Sequence, residues 1–161
     1  MTRDSEMISP HFARWEFTVS ETAVRKSIAN VPSAVQWENL KALADTILEP
    51  TRDTCGPLHV TSGYRCPELN TAIGGAANSQ HRCLGFDAAA DLIPYKGTLA
   101  DLFKRIYASE LPWDQLIWEF SSWVHVSHVR QGIQRRQALI AYRLNGNTKY
   151  APFTPEQLDK L

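Results

Sequence analysis

The chain carries five histidines, at positions 11, 59, 81, 125 and 128, and a histidine suggests chemistry only when it has company. His81 has it. It ends the polar run Ser79-Gln80-His81, and ten residues later Asp91 stands inside the apolar run Ala88-Ala89-Ala90-Asp91-Leu92-Ile93. An ionised carboxylate in such a strand is costly to bury unless a cation pairs with it. A metal ion would serve, and so would an arginine. Two more histidines lie in Trp123-Val124-His125-Val126-Ser127-His128. Strand alternation puts Trp123, His125 and Ser127 on one face, and Val124, Val126 and His128 on the other. Only one of these two histidines can therefore join His81 and Asp91. Two histidines and an aspartate, with a fourth position open to water, are a catalytic zinc set. Zinc brings the pKa of its bound water toward neutrality and polarises a carbonyl. Such chemistry also needs a proton acceptor, and Glu119 and Asp114 are the acids just upstream of the His125 strand.

Periodicity and capping outline the elements that must position these groups. Ser20 caps a short helix to about Ile28, which Asn30 and Pro32 end. Ser33 and Gln36 form a capping box. Behind it Val35, Leu40, Leu43, Ala44, Ile47 and Leu48 follow a helical period, and Pro50 is expected to end or kink that helix. Leu58 to Thr61 reads as a strand. Pro67 to Ile73 reads as a short helix between a proline and Gly74-Gly75. A polar loop leads to a buried strand, Phe86 to Ile93. Thr98 and Asp101 open a helix whose apolar face is Leu99, Leu102, Phe103, Ile106 and Tyr107. Leu116–Phe120, Trp123–Val129 and Ala138–Tyr142 are β-type runs, Asn145-Gly146 is a turn, and Thr154 starts a last short helix. Helices first and strands later predict an α+β fold, with helices packed on a small antiparallel sheet. The five tryptophans are expected mostly in the core.

Composition bounds the function. At 161 residues and 18.2 kDa the chain is expected to form one domain over residues 1–161. Seventeen Lys+Arg balance 17 Asp+Glu, and the densest basic run is only Arg130, Arg135 and Arg136. That argues against a nucleic-acid partner. Three cysteines, Cys55, Cys66 and Cys83, without a CxxC pair fit a reducing compartment. The polar start, Met1 to Glu6, shows no apolar signal-peptide region, and no apolar run reaches membrane-spanning length. Synthesis in the cytoplasm without a signal peptide and without membrane insertion is therefore expected. No GxGxxG, P-loop or serine nucleophile elbow is present, so nucleotide and acyl-enzyme chemistry have no support.

Five ordered blocks carry a more specific signal: Ser62-Gly63-Tyr64-Arg65-Cys66-Pro67-Glu68-Leu69-Asn70, Gly74-Gly75-Ala76, Ser79-Gln80-His81, Ala89-Ala90-Asp91 and Trp123-Val124-His125-Val126-Ser127. Together they resemble the zinc D-Ala-D-Ala carboxypeptidase family. That family includes phage peptidoglycan endopeptidases and shares the hedgehog-like fold. His11-Phe12, Glu16-Phe17, Asn30-Val31-Pro32 and Leu48-Glu49-Pro50 resemble the N-terminal part of phage and prophage members, so the likeness covers roughly residues 8–130. It implies one Zn²⁺ per chain, held by His81, Asp91 and His125. It also implies that Arg65 holds a substrate carbonyl or carboxylate and stabilises the oxyanion.

Two departures stand out. The family usually has seven residues from its His to its Asp, whereas His81 to Asp91 is ten. Asp87, six residues after His81, is the rival ligand and shares a strand face with Asp91. The Ala89-Ala90-Asp91 context favours Asp91. Cys83 is close by, but the family does not use thiolates. Many relatives also carry the catalytic acid three residues before the second histidine, where this chain has Ser122. The stretch Gln115 to Glu119 resembles phage-type members and makes Glu119 the expected base.

The resemblance implies a monomeric zinc peptidase that cuts peptidoglycan peptides, acting on the wall after holin-type release or as a virion component. The Ser122 departure supplies the alternative, a zinc-binding, non-hydrolytic wall-binding or virion structural module. Which bond is cut, and whether the action is exo or endo, stays open.

Overall fold

The structure, a computed structural model, describes residues 5–161, so Met1 to Asp4 of the polar N-terminal segment lie outside the described residues. Two short strands, β1 (Met7–Ser9) and β2 (Phe12–Ala13), pair antiparallel and lead into a 3₁₀ turn, Arg14–Phe17. The Ser20 hydroxyl accepts from the Ala23 amide and starts α1 (Glu21–Lys26), which Ser27 ends in the left-handed conformation. Ser33 and Gln36 form the expected capping box at the head of α2 (Ala34–Leu43).

Pro50 does not end that helix, contrary to expectation. The helix widens into a π turn over Ala44–Leu48 and continues as α3 (Glu49–Cys55). The Glu49 amide reaches back five residues to the Ala44 carbonyl. A proline ring normally collides with the carbonyl four residues before it and offers no N–H. The wider turn takes up one extra residue just before Pro50, and the helical run passes through.

The remaining elements are β3 (Leu58–Ser62), α4 (Pro67–Ala72), a 3₁₀ turn (Gln80–Arg82), β4 (Asp87–Pro94), α5 (Leu99–Ala108), β5 (Gln115–Glu119), β6 (Trp123–Val129), β7 (Gln137–Leu144), β8 (Asn147–Pro152) and a last 3₁₀ turn (Pro155–Lys160). The fold is α+β, as expected. Its main sheet has six strands in the order β3-β4-β6-β5-β7-β8. Neighbours run antiparallel except β5 and β7, which are parallel. The link from β6 crosses the start of β5, where the Arg135 amide donates to Asp114 Oδ1 and the Gln137 amide to the Asp114 carbonyl. Strand β8 carries too little apolar alternation to be read from sequence. Asn145 and Gly146, both at positive φ, turn β7 back into it.

The sheet's two faces differ sharply. Ala88, Ala90, Leu92, Leu116, Trp118, Val124 and Val126 point into the core, against Leu40 and Leu43 of α2 and Leu102, Phe103 and Ile106 of α5. Each fully buried Leu or Phe contributes about 1.5–3 kcal/mol. Of the tryptophans, Trp113 and Trp118 are buried, whereas Trp15, Trp37 and Trp123 are only half-buried. Among the described residues no helix is long and apolar enough to cross a membrane.

The other face carries Asp91, Glu119 and His125, and the segment after β3 is pinned beside it. The Asn30 amide donates to the carbonyls of Thr18 and Tyr64 and its oxygen accepts from the Cys66 N–H. The Tyr64 N–H donates to the Phe17 carbonyl. A Cβ on Gly63 would lie 2.7 Å from the Phe17 backbone, so only glycine permits this approach.

Candidate metal centre

Three elements bring the expected residues to one point. The Ser79 hydroxyl accepts from the His81 N–H and starts the 3₁₀ turn that carries the ring. The His81 carbonyl accepts from the Arg65 N–H, tying this turn to the loop after β3. Strands β4 and β6 pair so that Asp91 faces His125 directly. His81 Nε2 lies 3.2 Å from Asp91 Oδ1 and 3.1 Å from His125 Nδ1, and His125 Nδ1 lies 3.1 Å from the same carboxylate oxygen. The three donor atoms thus form a nearly equilateral triangle, and all three residues are buried.

The protonation states suit a cation. His81 Nδ1 lies 2.7 Å from the Gly63 carbonyl. A carbonyl only accepts, so this nitrogen carries the proton and Nε2 presents its lone pair to the cluster. Burial pushes the His81 pKa down and keeps the ring neutral. Burial opposes ionisation of Asp91, but the two imidazoles outweigh it and hold its carboxyl far below the usual carboxylate range. Arg65 Nη2 donates to Asp91 Oδ2 at 3.1 Å and Arg65 Nε to the Ser62 hydroxyl, which fixes the carboxylate with Oδ1 toward the histidines. Neutral imidazole and ionised carboxylate are the forms a metal takes. The donor spacing is close to the roughly 3.3 Å between ligands in tetrahedral zinc with bonds of about 2.0–2.1 Å. The residues present therefore fit one zinc ion.

Glu119 sits across the β5–β6 hairpin, paired with Trp123, and its Oε1 lies 4.0 Å from His125 Nδ1. Burial pushes its pKa up, and the charge of Asp91 adds to the shift. Ser122 lies at the exposed tip of the hairpin, with its hydroxyl bonded to the Phe120 carbonyl. The position three residues before His125 is thus a turn, and the acid near His125, Glu119, stands on the facing strand.

The other candidates lie elsewhere. Asp87 is half-buried beside Gln80 and Asp114, and burial and the Asp114 charge push its pKa up. It takes no part in the triangle. Burial pushes the Cys83 thiol up to about 12, so it is no thiolate. His128 is buried against the Pro112 carbonyl, His59 pairs with Tyr95, and His11 pairs with Glu49. Asp114, the other acid of the sequence reading, is buried and fully engaged. It accepts from the Arg135 backbone and guanidinium and from Gln80. This Gln80–Asp114–Arg135 network escaped the sequence reading, because its members are far apart in the chain and each is ordinary alone.

The network carries a pH prediction. Burial pushes Asp114 upward, but the Arg135 and Gln80 hydrogen bonds prevail and hold its pKa low. Its stabilisation is therefore present above the ordinary carboxylate pKa and is lost as pH falls through the depressed one. Asp114→Asn should lower stability by about 1–3 kcal/mol at pH 7 in urea unfolding, and the gap should close at acid pH. Equal stability at pH 7 would sink this assignment.

The model of a family described as Peptidase M15 matches residues 10–127 of the chain. That span includes Arg65, His81, Asp91, Glu119 and His125, and it ends before β7 and β8. No curated protein matches the chain.

Proposed function

The chain belongs to the peptidase M15 family, a zinc D-Ala-D-Ala carboxypeptidase-like family, and from that premise we propose that it is a zinc-dependent hydrolase of peptide bonds in the peptidoglycan stem or cross-link. The observation that carries this reading is the buried triangle of His81, Asp91 and His125, with a carboxylate of raised pKa 4.0 Å away.

In this reading His81, Asp91 and His125 hold the zinc. Bound there, zinc supplies Lewis acidity toward the scissile carbonyl and acidifies water. Glu119 accepts the proton of the attacking water and returns it to the leaving amine as the carbon–nitrogen bond breaks. Its raised pKa brings it nearer the working pH, where a group can both take and give a proton. Arg65 spends one arm on Asp91 and turns its remaining donors to the substrate carbonyl oxygen or carboxylate. Its fixed charge faces the developing oxyanion without needing to reorganise.

The phage-like N-terminal blocks support a lysis or virion role, with a single peptidase domain over residues 1–161 acting as a monomer outside the cell that makes it. Digestion of purified peptidoglycan by the zinc-loaded protein, read by mass spectrometry of the fragments, tests the reading. New amino termini at a single type of stem or cross-link bond are expected, and the fragment masses identify that bond. If no bond is cut although zinc is bound, a non-hydrolytic zinc module replaces it. Zinc below one per chain and unaffected by His125→Ala would remove the metal site itself.

A further inference from the structure

The strand order puts Arg65, bonded to Asp91 of β4, on one flank of the centre, and the hairpin β7–β8 on the other. That hairpin lies beyond the matched residues, and nothing so far gives it a task.

The turn between β5 and β6 is the first clue. Phe120 and Ser121 both adopt φ of 54°, and the Ser122 N–H closes the turn on the Glu119 carbonyl. The two central residues of a β-turn of this hand are normally Asn-Gly, because a side chain is strained there. The turn aims the Phe120 ring. It packs edge-on against Trp123 with centroids 5.6 Å apart, and the Arg143 guanidinium lies over the ring, 4.9 Å from its centre. Arg143 is otherwise unengaged. Among the described residues no carboxylate lies within ion-pair distance of Arg143, a condition it shares with Arg25, Arg52, Arg82, Arg105 and Arg136; what sets it apart is its place on the face of Glu119 and Asp91. It is an exposed, permanent cation held on an aromatic platform.

The register adds a partner. Glu119 pairs with Ala141, and Ala141 with Tyr150, so these three share the face of the metal centre. Strands lie about 4.8 Å apart, so Tyr150 stands about 10 Å from Glu119 across a small alanine. Arg143 pairs with Thr148, which makes it the diagonal neighbour of Tyr150 on that face. Burial, with Glu119 and Asp91 adding to it, pushes the phenol pKa up, so Tyr150 stays a hydrogen-bond donor.

We infer that Arg143 and Tyr150 form a carboxylate-binding subsite on the β7–β8 side of the metal centre, which receives an acidic group of the peptide substrate. Arginine offers a planar fork that matches a carboxylate, and the phenol adds a third donor. The separation of about 10 Å spans roughly three extended residues, which sets how far along the peptide that group lies. The inference deepens the proposed function and rests on it for the identity of the ligand.

Binding, not turnover, tests it. The zinc-loaded protein is titrated with a synthetic peptidoglycan stem peptide in three forms: free, amidated at its C-terminus, and amidated on its side-chain carboxylates. Arg143→Gln should weaken binding of the free peptide about tenfold, Arg143→Lys should restore part of the loss, and Tyr150→Phe should cost about threefold. One of the two amidated forms should bind the wild type as weakly as the free peptide binds Arg143→Gln, and should bind both proteins alike. That form tells a terminal carboxylate from a side-chain one. Equal binding of the free peptide by wild type and Arg143→Gln, or no binding by the wild type, overturns the subsite. So does a loss that persists with both amidated forms. A protein that binds as expected but cuts nothing would sink the proposed hydrolysis and leave the subsite standing.

Discussion

Asp91→Asn should strip zinc from the protein while leaving it folded. The substitution keeps the volume and removes the charge. Asp91 Oδ1 faces two imidazole nitrogens at 3.1 and 3.2 Å, and Oδ2 accepts from Arg65. An asparagine must turn its NH₂ toward one of these partners. Toward the histidines it presents hydrogens where lone pairs should converge, and toward Arg65 it sets donor against donor. Both arrangements fail, and the buried cation loses its one anionic ligand. Residues that merely orient metal ligands already cost 10–100-fold in affinity, so removing this ligand should cost more than about a hundredfold. Metal analysis after dialysis against a chelator is the check, with Asp87→Asn retaining about one zinc per chain. Zinc lost from Asp87→Asn and kept by Asp91→Asn would transfer the ligand role to Asp87.

Glu119→Gln should behave in the opposite way. Its carboxylate stands 4.0 Å from His125 Nδ1 and is no corner of the donor triangle, so zinc should stay bound. Hydrolysis should fall about 10²–10⁴-fold, the usual loss when a positioned proton acceptor is removed. Glutamine keeps the size and hydrogen-bonding capacity of the side chain, so KM should shift far less than kcat. A variant within about tenfold of wild-type turnover would show that the proton goes elsewhere. Ser122 is no substitute, because it sits at the exposed hairpin tip.

These two predictions draw on different amounts of sequence. Asp91 was legible because a charged residue interrupts a run of alanines and aliphatics, and the structure brings it to His81 and His125. Strand alternation separated His125 from His128, and the two are equally buried but meet different partners, Asp91 for the first and the Pro112 carbonyl for the second. Glu119 was reached through resemblance, and only the hairpin register shows how an acid six residues before His125 in the chain comes to stand beside it. Asp114 looked equally available in sequence. Its engagement with Arg135 and Gln80 depends on a crossover link that no local pattern announces.

By itself the sequence determined the local elements and the kind of chemistry. Ser20 and Ser33 cap helices because their hydroxyls satisfy amides within three residues. A single buried acid between alanines calls for a cation. Such information acts over a few residues, so a few residues suffice to read it. The tertiary structure decided what depends on distant partners. It carried the helix through Pro50 by widening one turn, and it laid β7 parallel to β5. It engaged Asp114 with Arg135 and Gln80 and brought Arg143 and Tyr150 to the face that carries Asp91 and His125. Each of these outcomes is a balance between packing and hydrogen bonding across the chain, and local propensity is too weak to set it.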